Sequence, residues 1–506
     1  MMINVMEYAE NTAARFPEKH AAIEGDRRIT YAELLLSSKA VGTALADMVF
    51  RCAPTVVFME KGIDALIAFF GIVYAGGCYS LLTPELPEQR LKLIRSALQA
   101  EIVITVESLE QKARKLFPDA EIRTVGSLRA GRIDESRLRN IRKRMIDTDP
   151  LYINFTSGTS GTPKGITVSH RSVIDFISCF TDLFHITKDD RIANQAPFDF
   201  DVSVKDIYSS VAVGATLVII PGEYFSAPVR LLDYLCDNNV TTMIWAVSAL
   251  CLITAFHGLD YRTPETVNKV LFSGEVMPGK TLRDWRSHLP DATFVNLYGP
   301  TEITCNCTFH ILDKNCDYPD GIPIGTPFPN EDVFLLDDED RLINVPDRVG
   351  RIIVRGTALA LGYYGAPERT AESFIQNPLH RMYPETVYDT GDLGAYNDNG
   401  ELMYRGRRDN QIKYMGHRVE LQEIEHAMEK IDGVDRCICI FDAGKKRLKG
   451  LYTGSIEKED LYKLLHQTLP LFMVPGDLRK LECIPLTKNG KADRRKAAEL
   501  AERSVL

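Results

Sequence analysis

Short apolar runs alternate with amphipathic stretches along the first half of the chain. Residues 56–59, 102–105 and 151–155 are brief runs of mostly apolar side chains, the pattern of buried strands in a parallel sheet. Residues 86–98 space their apolar side chains at helical intervals, and strand-like and helix-like segments keep alternating up to residue 272. This alternation predicts a layered α/β architecture.

One uncharged stretch, residues 65–84, approaches the length of a membrane-spanning helix. Gly71, Gly76 and Gly77 interrupt it, and its composition changes midway. The pattern therefore predicts a buried helix that ends near residues 75–77 and a buried strand over residues 78–82. A membrane span is the minor alternative.

Three later segments differ in pattern from this first half. Residues 108–147 are charged and weakly patterned, which predicts a peripheral connector. Strand-like runs and turns are dense between residues 321 and 404, and after residue 408 the chain has strands and helices of its own. The predicted fold class is α/β. It comprises a large N-terminal domain (1–408) of layered α/β subdomains plus a β-rich subdomain, and a small, mobile α+β C-terminal domain (409–506).

The composition narrows the classes of protein that this pattern allows. The 506 residues are 45% hydrophobic and 25% charged, which is the balance of a soluble protein of two or more domains. A net charge of −9 without a basic stripe argues against nucleic-acid binding. The eleven cysteines include no C-x-x-C pair, so we expect reduced thiols rather than a zinc site. The N-terminus lacks a signal peptide, so the predicted location is cytoplasmic, without membrane insertion.

Residues 156–165 are the most distinctive segment of the chain. They follow a buried strand and contain three glycines, five hydroxyl side chains, one proline and one lysine. Glycines let successive backbone amides turn towards one anion, so the segment predicts a polyphosphate-binding loop. A mobile Ser/Gly-rich linker is the weaker alternative. The predicted phosphate ligands are Thr156, Ser157, Gly158, Thr159, Ser160, Gly161, Thr162 and Lys164.

Four further polar stretches have the composition of active-site loops. They are residues 296–302, 388–393, 406–413 and 486–494. Each alone has an ordinary explanation, because Gly-Pro and Asp-Gly pairs form turns and basic C-terminal residues are often solvated. The order in which the four stretches occur along the chain is more specific than any one of them.

In this order, the stretches resemble the adenylate-forming superfamily, which includes peptide-synthetase adenylation domains, acyl-CoA ligases and luciferase. The resemblance covers nearly the whole chain and is most marked for free-standing amino-acid:carrier-protein ligases such as D-alanine:carrier-protein ligase. It implies ATP and Mg²⁺ as cofactors, an aminoacyl-AMP intermediate, and transfer to the phosphopantetheine thiol of an acyl or peptidyl carrier protein. Because the 506 residues include no carrier segment, we expect a separate carrier protein to act in trans.

The resemblance also implies roles for individual residues. Lys491, Thr301 and Glu302 would be catalytic, with Glu302 as the metal ligand, and Asp409 would be a hinge. Asp392 and Arg407 would bind the ribose, and Tyr298 would stack on adenine. Nucleotide-binding residues beyond the phosphate loop would be Gly274, Glu275, Asn296, Tyr298, Gly299, Asp392, Arg407 and Lys413.

The amino-acid site would be built around Asp201, which would pair with the α-ammonium of the substrate. The side-chain wall would be Val202, Lys205, Trp245, Leu271, Ser273, Leu297, Cys305 and Asn306. Trp245 would make the pocket shallow or lidded, and Lys205 would either read a second substrate carboxylate or swing aside. An ordinary i,i+4 ion pair between Asp201 and Lys205 is the local alternative. D-alanine ligases typically have Cys where Ser273 stands and an apolar residue where Lys205 stands.

Two other functions are compatible with parts of this pattern. One is an acyl-CoA ligase for a non-amino acid, which would have no use for a buried Asp201. The other is a nucleotide-binding sensor or scaffold without catalysis, which the presence of Lys491, Glu302 and Asp392 argues against.

Overall fold

The computed structural model describes residues 2–158, 163–408, 411–442, 444–485 and 494–503. The α-helices are α1 (Met6–Arg15), α2 (Tyr31–Leu45), α3 (Ile63–Tyr74), α4 (Glu88–Leu98), α5 (Glu110–Leu116), α6 (Val125–Arg129), α7 (Glu135–Arg142), α8 (His170–Leu183), α9 (Val202–Val213), α10 (Pro228–Asp237), α11 (Val247–Ala255), α12 (Gly258–Tyr261), α13 (Gly279–His288), α14 (Pro367–Ser373), α15 (Leu421–Glu429), α16 (Lys458–Thr468) and α17 (Arg494–Arg503).

The strands are β1 (His20–Glu24), β2 (Arg27–Thr30), β3 (Pro54–Phe58), β4 (Cys78–Leu82), β5 (Ile102–Thr105), β6 (Glu121–Thr124), β7 (Pro150–Thr156), β8 (Lys164–Ser169), β9 (Arg191–Asn194), β10 (Thr216–Ile219), β11 (Thr242–Ala246), β12 (Lys269–Ser273), β13 (Thr293–Tyr298), β14 (Thr308–Ile311), β15 (Thr326–Pro327), β16 (Glu331–Leu336), β17 (Leu342–Ile343), β18 (Gly350–Gly356), β19 (Gly362–Tyr363), β20 (Phe374–Gln376), β21 (Thr386–Tyr396), β22 (Leu402–Arg407), β23 (Gln411–Tyr414), β24 (His417–Glu420), β25 (Val434–Asp442), β26 (Arg447–Gly454) and β27 (Asp477–Lys480).

The chain forms two compact units. The first comprises Met1–Pro84, Leu98–Asn154 and Gly165–Gly406, and the second comprises Glu85–Ala97, Phe155–Lys164 and Arg407–Leu506. The second unit thus includes one helical segment and the phosphate-loop segment from the first half of the sequence. The domain boundary between residues 408 and 409 stays a prediction.

Two mainly parallel sheets form the α/β part of the first unit. One has the order β15-β14-β13-β12-β11-β9-β10-β1-β2, and the other β19-β8-β7-β4-β3-β5-β6. A single apolar cluster takes side chains from both sheets and from α2, α3, α8 and α9. Since buried parallel strands read as continuous apolar runs, the sequence pattern identified most of them.

The uncharged stretch forms a buried helix and a buried strand, as predicted. Helix α3 ends at Tyr74 and β4 begins at Cys78, and both elements are almost entirely buried. Within the described part of the chain, no helix combines the length and the apolar character needed to cross a membrane.

The charged segment over residues 108–147 is more regular than predicted. It contains α5, α6 and α7, and β6 pairs with β5 in parallel at the edge of the second sheet. Along β6, Ile122 and Thr124 are buried while Glu121 and Arg123 are exposed. An edge strand with one solvated face is polar at alternate positions, which made the segment resemble a connector.

The β-rich subdomain predicted for residues 321–404 is present. Its sheet has the order β17-β16-β18-β21-β20, with β22 also paired to β21. In the second unit, β23 and β24 form a hairpin and β25, β26 and β27 form a small sheet. Side chains of α15 and α16 share one apolar core with residues of β25, β26 and β27.

Candidate active site

The candidate site of the first unit lies where neighbouring strands of one sheet end. Strands β9, β11, β12 and β13 are parallel neighbours. The carboxyl ends of parallel strands meet at one edge, where α/β proteins commonly bind ligands. The loops at this edge carry Asp201, Gly274, Glu275, Gly299 and Thr301. The topology therefore gathers segments that are up to a hundred residues apart in the sequence.

Asp201 stands directly before α9, and its side chain is buried. The thiol of Cys305 donates a hydrogen bond to the backbone carbonyl of Asp201, with a Sγ–O distance of 3.1 Å. Burial raises the pKa of the Cys305 thiol well above its usual value, so this thiol acts as a neutral donor. Two predicted site residues that are far apart in sequence are thus in direct contact.

The segment that carries Cys305 and Asn306 has an unusual backbone. Thr304 and Cys305 have φ angles of 50° and 80°, a left-handed region that side chains with a Cβ seldom adopt. The Thr304 hydroxyl donates to the Ala358 carbonyl and helps to hold this conformation. A Cβ at Gly299 would lie 2.4 Å from the Asn306 Cα atom, so Gly299 is needed for the close crossing of the two chain segments. Strained backbone of this kind is concentrated at functional sites.

Lys205, one turn into α9, is completely buried. Its ammonium donates a hydrogen bond of 2.7 Å to Asn306 Oδ1. The sequence had left open an ion pair between Lys205 and Asp201, whereas the hydrogen bond in the structure goes to Asn306. Burial lowers the pKa of the Lys205 ammonium, and the negative charge of Asp201 is among the influences that oppose this shift. The prediction that Lys205 belongs to the wall remains a prediction, now with a defined partner.

The strand residues of the predicted wall divide between two faces of the sheet. Leu271 and Leu297 belong to the large core cluster, and Ser273 shares the face of Leu271 because strand side chains alternate. Trp245 belongs instead to a separate cluster, where its indole N–H donates to the Ala193 carbonyl. The structure therefore places Trp245 in a different cluster from Leu271 and Leu297, and its predicted role in closing the pocket stays a prediction. The period of two along β11 accounts for the difference.

Tyr298 and Asp392, both predicted to bind the nucleotide, form a buried pair. The Tyr298 hydroxyl donates to Asp392 Oδ2 at 2.6 Å. Burial, followed by the charge of Asp392, raises the pKa of Tyr298 well above its usual value. Asn296, on the same strand as Tyr298, donates its side-chain amide to the Pro323 carbonyl. The structure thus joins two residues that the sequence assigned to one nucleotide.

Glu302 is fully buried in the short helical turn that follows β13, next to buried Thr301. The Tyr363 hydroxyl donates to Glu302 Oε1 at 2.8 Å, and the backbone of Ala360 donates to the Glu302 carbonyl. Within the described ranges, no group of three or more His, Cys, Asp or Glu side chains could hold a metal. Magnesium sites with phosphate substrates commonly use only one or two protein carboxylates, so Glu302 fits such a role.

The described start of the predicted phosphate loop contacts a carboxylate. Within the second unit, the backbone N–H of Gly158 donates to Glu423 Oε2 at 3.1 Å, and Arg90 pairs with the other carboxylate oxygen at 2.6 Å. Ser157 donates to the Arg418 carbonyl. The buried Thr156 Oγ1 has no hydrogen-bond partner among the described residues. The amide of Gly158 therefore binds negative charge, as a phosphate loop requires.

The remaining predicted residues are placed as follows. Gly274 has a φ of 95° with open space where a Cβ would stand, and Glu275 beside it is half-buried. Lys164 begins β8 and is buried, while Arg407 on β22 and Lys413 on β23 are half-buried in the second unit. The predicted residues Thr159, Ser160, Gly161, Thr162, Asp409 and Lys491 lie outside the described residues.

Sequence reasoning missed a polar chain beneath the loop of Asp201. The Lys61 ammonium donates to Asn194 Oδ1 at 3.1 Å, and the Asn194 amide donates to Asp206 Oδ2 at 2.7 Å. Lys61 also donates to the carbonyls of Gln195 and Ala196. Burial raises the pKa of Asp206 to about 7. The only available sequence signal was the polar side chains of Asn194 and Asp206 beside predicted site residues, and nothing local pointed to Lys61.

Comparisons with known proteins agree with this arrangement. The family model described as AMP-binding enzyme matches residues 9–364. The chain is 30% identical over 501 residues to bacitracin synthase 1 of Bacillus licheniformis, covering 97% of this chain and 9% of that protein. It is 31% identical over 516 residues to the D-alanine–D-alanyl carrier protein ligase of Bacillus cytotoxicus, covering 98% of this chain and 99% of the ligase.

A solved structure agrees at the level of the fold. PA1221, a nonribosomal peptide synthetase protein containing adenylation and PCP domains, matches with a TM-score of 0.84 at 24% identity, covering 99% of this chain and 84% of that one. Together with this fold, the family model and the carrier-protein ligase matched along its full length define an adenylate-forming type of ligase.

The chain belongs to the AMP-binding enzyme family. The predicted family, α/β fold and enzyme class are confirmed, and the predicted amino-acid adenylation agrees with these relatives. The chain spans only 9% of the length of bacitracin synthase 1 and 45% of the length of tyrocidine synthase 1 of Brevibacillus parabrevis, another relative that it matches.

Proposed function

We propose that this chain adenylates an amino acid with ATP and transfers the aminoacyl group to the phosphopantetheine thiol of a carrier protein. The observation that best supports the proposal is that two buried contacts occur at one sheet edge, where the first would bind the amino acid and the second the nucleotide. Asp201 and Cys305 form the first, and Tyr298 and Asp392 form the second. The carrier-protein ligase of similar length supports the same class of reaction.

In the first step, a carboxylate oxygen of the amino acid attacks the α-phosphorus of ATP. The bond from that phosphorus to the bridging oxygen breaks, and pyrophosphate leaves with the electron pair. Asp201 would hold the substrate α-ammonium, because a buried carboxylate is stabilised by a cation. Thr301 would donate a hydrogen bond to the α-phosphate, where charge develops during the transfer.

Glu302 would hold Mg²⁺ through its carboxylate, since hard oxygen ligands suit this ion. Bound Mg²⁺ would neutralise phosphate charge. Tyr363 would position the Glu302 carboxylate through the hydrogen bond from its hydroxyl. Lys491 stays the predicted bridge between the substrate carboxylate and the α-phosphate.

In the second step, the carrier thiolate attacks the carbonyl carbon of the aminoacyl-AMP. A thioester forms, and AMP leaves with the oxygen that had joined the acyl group to phosphorus. The carrier protein, ATP and cytoplasmic location remain parts of the proposal.

An exchange assay between ATP and labelled pyrophosphate tests the first step. A panel of L-, D- and β-amino acids, with aryl and fatty acids alongside, should give exchange with at least one amino acid. Asp201→Ala should then lower amino-acid-dependent exchange by about a hundredfold or more, because an α-ammonium loses its charged partner. Exposed Asp189 provides the matched control, and Asp189→Ala should retain wild-type exchange.

Exchange with aryl or fatty acids and with none of the amino acids would instead support the acyl-CoA ligase. Alanylation of a carrier from D-alanine is the second candidate function, because the carrier-protein ligase matches along its full length. D-alanine in the same panel decides between this candidate and other amino acids.

A further inference from the structure

Lys205 is a buried cation with few compensating contacts. Its side chain is 0% exposed, and among the described residues Asn306 Oδ1 is the hydrogen-bond acceptor of its ammonium. An ammonium has three N–H donors, and burial without compensation is costly for a charged group. A neutral amide oxygen satisfies one donor and leaves the charge without a carboxylate in hydrogen-bond contact.

The other buried charges near Lys205 are already committed. Asp206 is joined to Lys61 through the Asn194 side chain, which accepts from the lysine and donates to the carboxylate. Asp201 is the group that the proposed function assigns to the substrate α-ammonium. Once that ammonium is bound, Lys205 is a cation whose hydrogen-bond acceptor, within the part of the chain that the structure describes, is an amide rather than a carboxylate.

The spacing on α9 fits a short substrate. Lys205 follows Asp201 by four positions, slightly more than one helical turn or about 6 Å along the axis. A molecule that presents an ammonium to the first residue and an anion to the second therefore needs its two charges only a few bonds apart. The other predicted wall residues carry no charge: Val202, Trp245, Leu271, Ser273, Leu297, Cys305 and Asn306.

We propose that the pocket selects an amino acid with a short carboxylate side chain, of the aspartate or glutamate type, and that Lys205 pairs with that carboxylate. The inference rests on the proposed function and adds its substrate class. Asn306 would act as a positioning residue, because its Oδ1 holds the ammonium in place for the substrate. The competing possibility is that Lys205 fills the pocket and restricts it to glycine or alanine.

The wild-type protein decides between these possibilities in one panel of pyrophosphate exchange. Each acidic amino acid is paired with its amide, aspartate with asparagine and glutamate with glutamine, in both chiralities and beside glycine and alanine. We expect an acidic member to exceed its own amide in kcat/KM by about tenfold to a hundredfold, the range for a hydrogen bond to a charged group. Greater activity with glycine, alanine or an amide would overturn the inference while leaving the proposed function intact.

The variant Lys205→Met assigns the effect to this side chain. Methionine keeps an unbranched shape without the charge, so the preference for the acid over its amide should fall by about tenfold or more, through KM rather than kcat. A preference for the acid that persists in a folded Lys205→Met protein would show that Lys205 does not read the carboxylate. If the variant does not fold, the wild-type panel still decides. If no amino acid at all supports exchange, the proposed function fails, and this inference fails with it.

Discussion

At the residue scale, the crossing of Gly299 with the segment of Cys305 and Asn306 controls the geometry of the site. The left-handed Thr304 and Cys305 are held by hydrogen bonds to two different parts of the first unit, the carbonyls of Ala358 and Asp201. The side chains of Cys305 and Asn306 therefore take positions that depend on contacts far from them in sequence. A small change at the crossing should move both residues together.

Gly299→Ala tests this dependence. The added Cβ would lie 2.4 Å from the Asn306 Cα atom and 2.7 Å from the Cys305 carbonyl oxygen, so backbone must shift. Such overpacking typically costs about 1–3 kcal/mol, and we expect KM for the amino acid to rise more than KM for ATP. Exchange kinetics at varied substrate concentrations measure both constants.

Gly222→Ala is the control for Gly299→Ala, because a Cβ at Gly222 meets no atom within 4 Å. Equal effects of the two substitutions, or a rise confined to KM for ATP, would contradict the role given to the crossing.

The candidate residues of the site came from short sequence motifs, and their roles stay predictions. Asp201, Tyr298 and Glu302 are buried at or beside strand ends, and Asp392, within β21, is buried against Tyr298. Their partners were not predictable in the same way. Trp245 shows the limit of motif-based prediction, because the sequence did not reveal on which face of β11 its side chain lies.

At the element scale, α15 contributes a carboxylate to the phosphate loop. Glu423 accepts from the Gly158 amide and pairs with Arg90, and its side chain is buried. A carboxylate in this position would repel the phosphate groups that the loop is proposed to bind. The contact spans 265 positions in the sequence, so no local pattern could have announced it.

Glu423→Gln should therefore strengthen ATP binding. The amide keeps the size of the side chain and removes the negative charge, and we expect the Kd for ATP to fall by about threefold to tenfold, about 0.7–1.4 kcal/mol. Equilibrium titration with ATP measures the change. Exposed Glu429 on the same helix gives the matched variant Glu429→Gln, which should bind ATP as the wild type does. Unchanged or weaker binding by Glu423→Gln would disprove the competition.

At the scale of the whole molecule, each compact unit contains a histidine that resists protonation, buried His170 in the first and half-buried His417 in the second. Burial lowers the pKa of His170 in the first unit to about 3 and that of His417 in the second to about 4. His170 accepts from the Val5 backbone through Nδ1, and its Nε2 has no partner within the described ranges. His417 stacks on Phe472 with ring centroids 3.7 Å apart.

The stability of the protein should depend on pH through His170. Between the unfolded pKa of about 6.5 and the folded pKa of about 3, the unfolded chain binds a proton that the folded chain does not. As the pH is lowered through this window, the free energy of unfolding should therefore decrease, by about 1.4 kcal/mol per pH unit for this one group. His170→Asn keeps an acceptor near Nδ1 and removes the titration, so its stability should fall less steeply.

Denaturant unfolding at a series of pH values measures the two slopes. His257→Asn is the control, because His257 is largely exposed and asparagine tolerates its left-handed backbone. Parallel pH profiles of wild type and His170→Asn would rule out the assigned role.

The α/β layers and the β-rich subdomain followed from the hydrophobic pattern, as α3, β4 and the strands after residue 321 show. The grouping of Glu85–Ala97 and Phe155–Lys164 with the C-terminal unit did not. This grouping depends on contacts between segments that are distant in the sequence, such as the ion pair of Arg90 with Glu423. Such contacts do not change the hydrophobic pattern of either segment.

The tight crossing at Gly299 also bears on how this enzyme could be redirected to other substrates. Hydrogen bonds and close contacts with other segments fix the backbone of Cys305 and Asn306. Substituting either residue would therefore disturb the contacts that hold this backbone. Leu271, Ser273 and Leu297 project from regular strands that neighbouring strands hold in register. A library that varies these three strand positions and spares the crossing should yield more folded variants than one spread evenly over the wall.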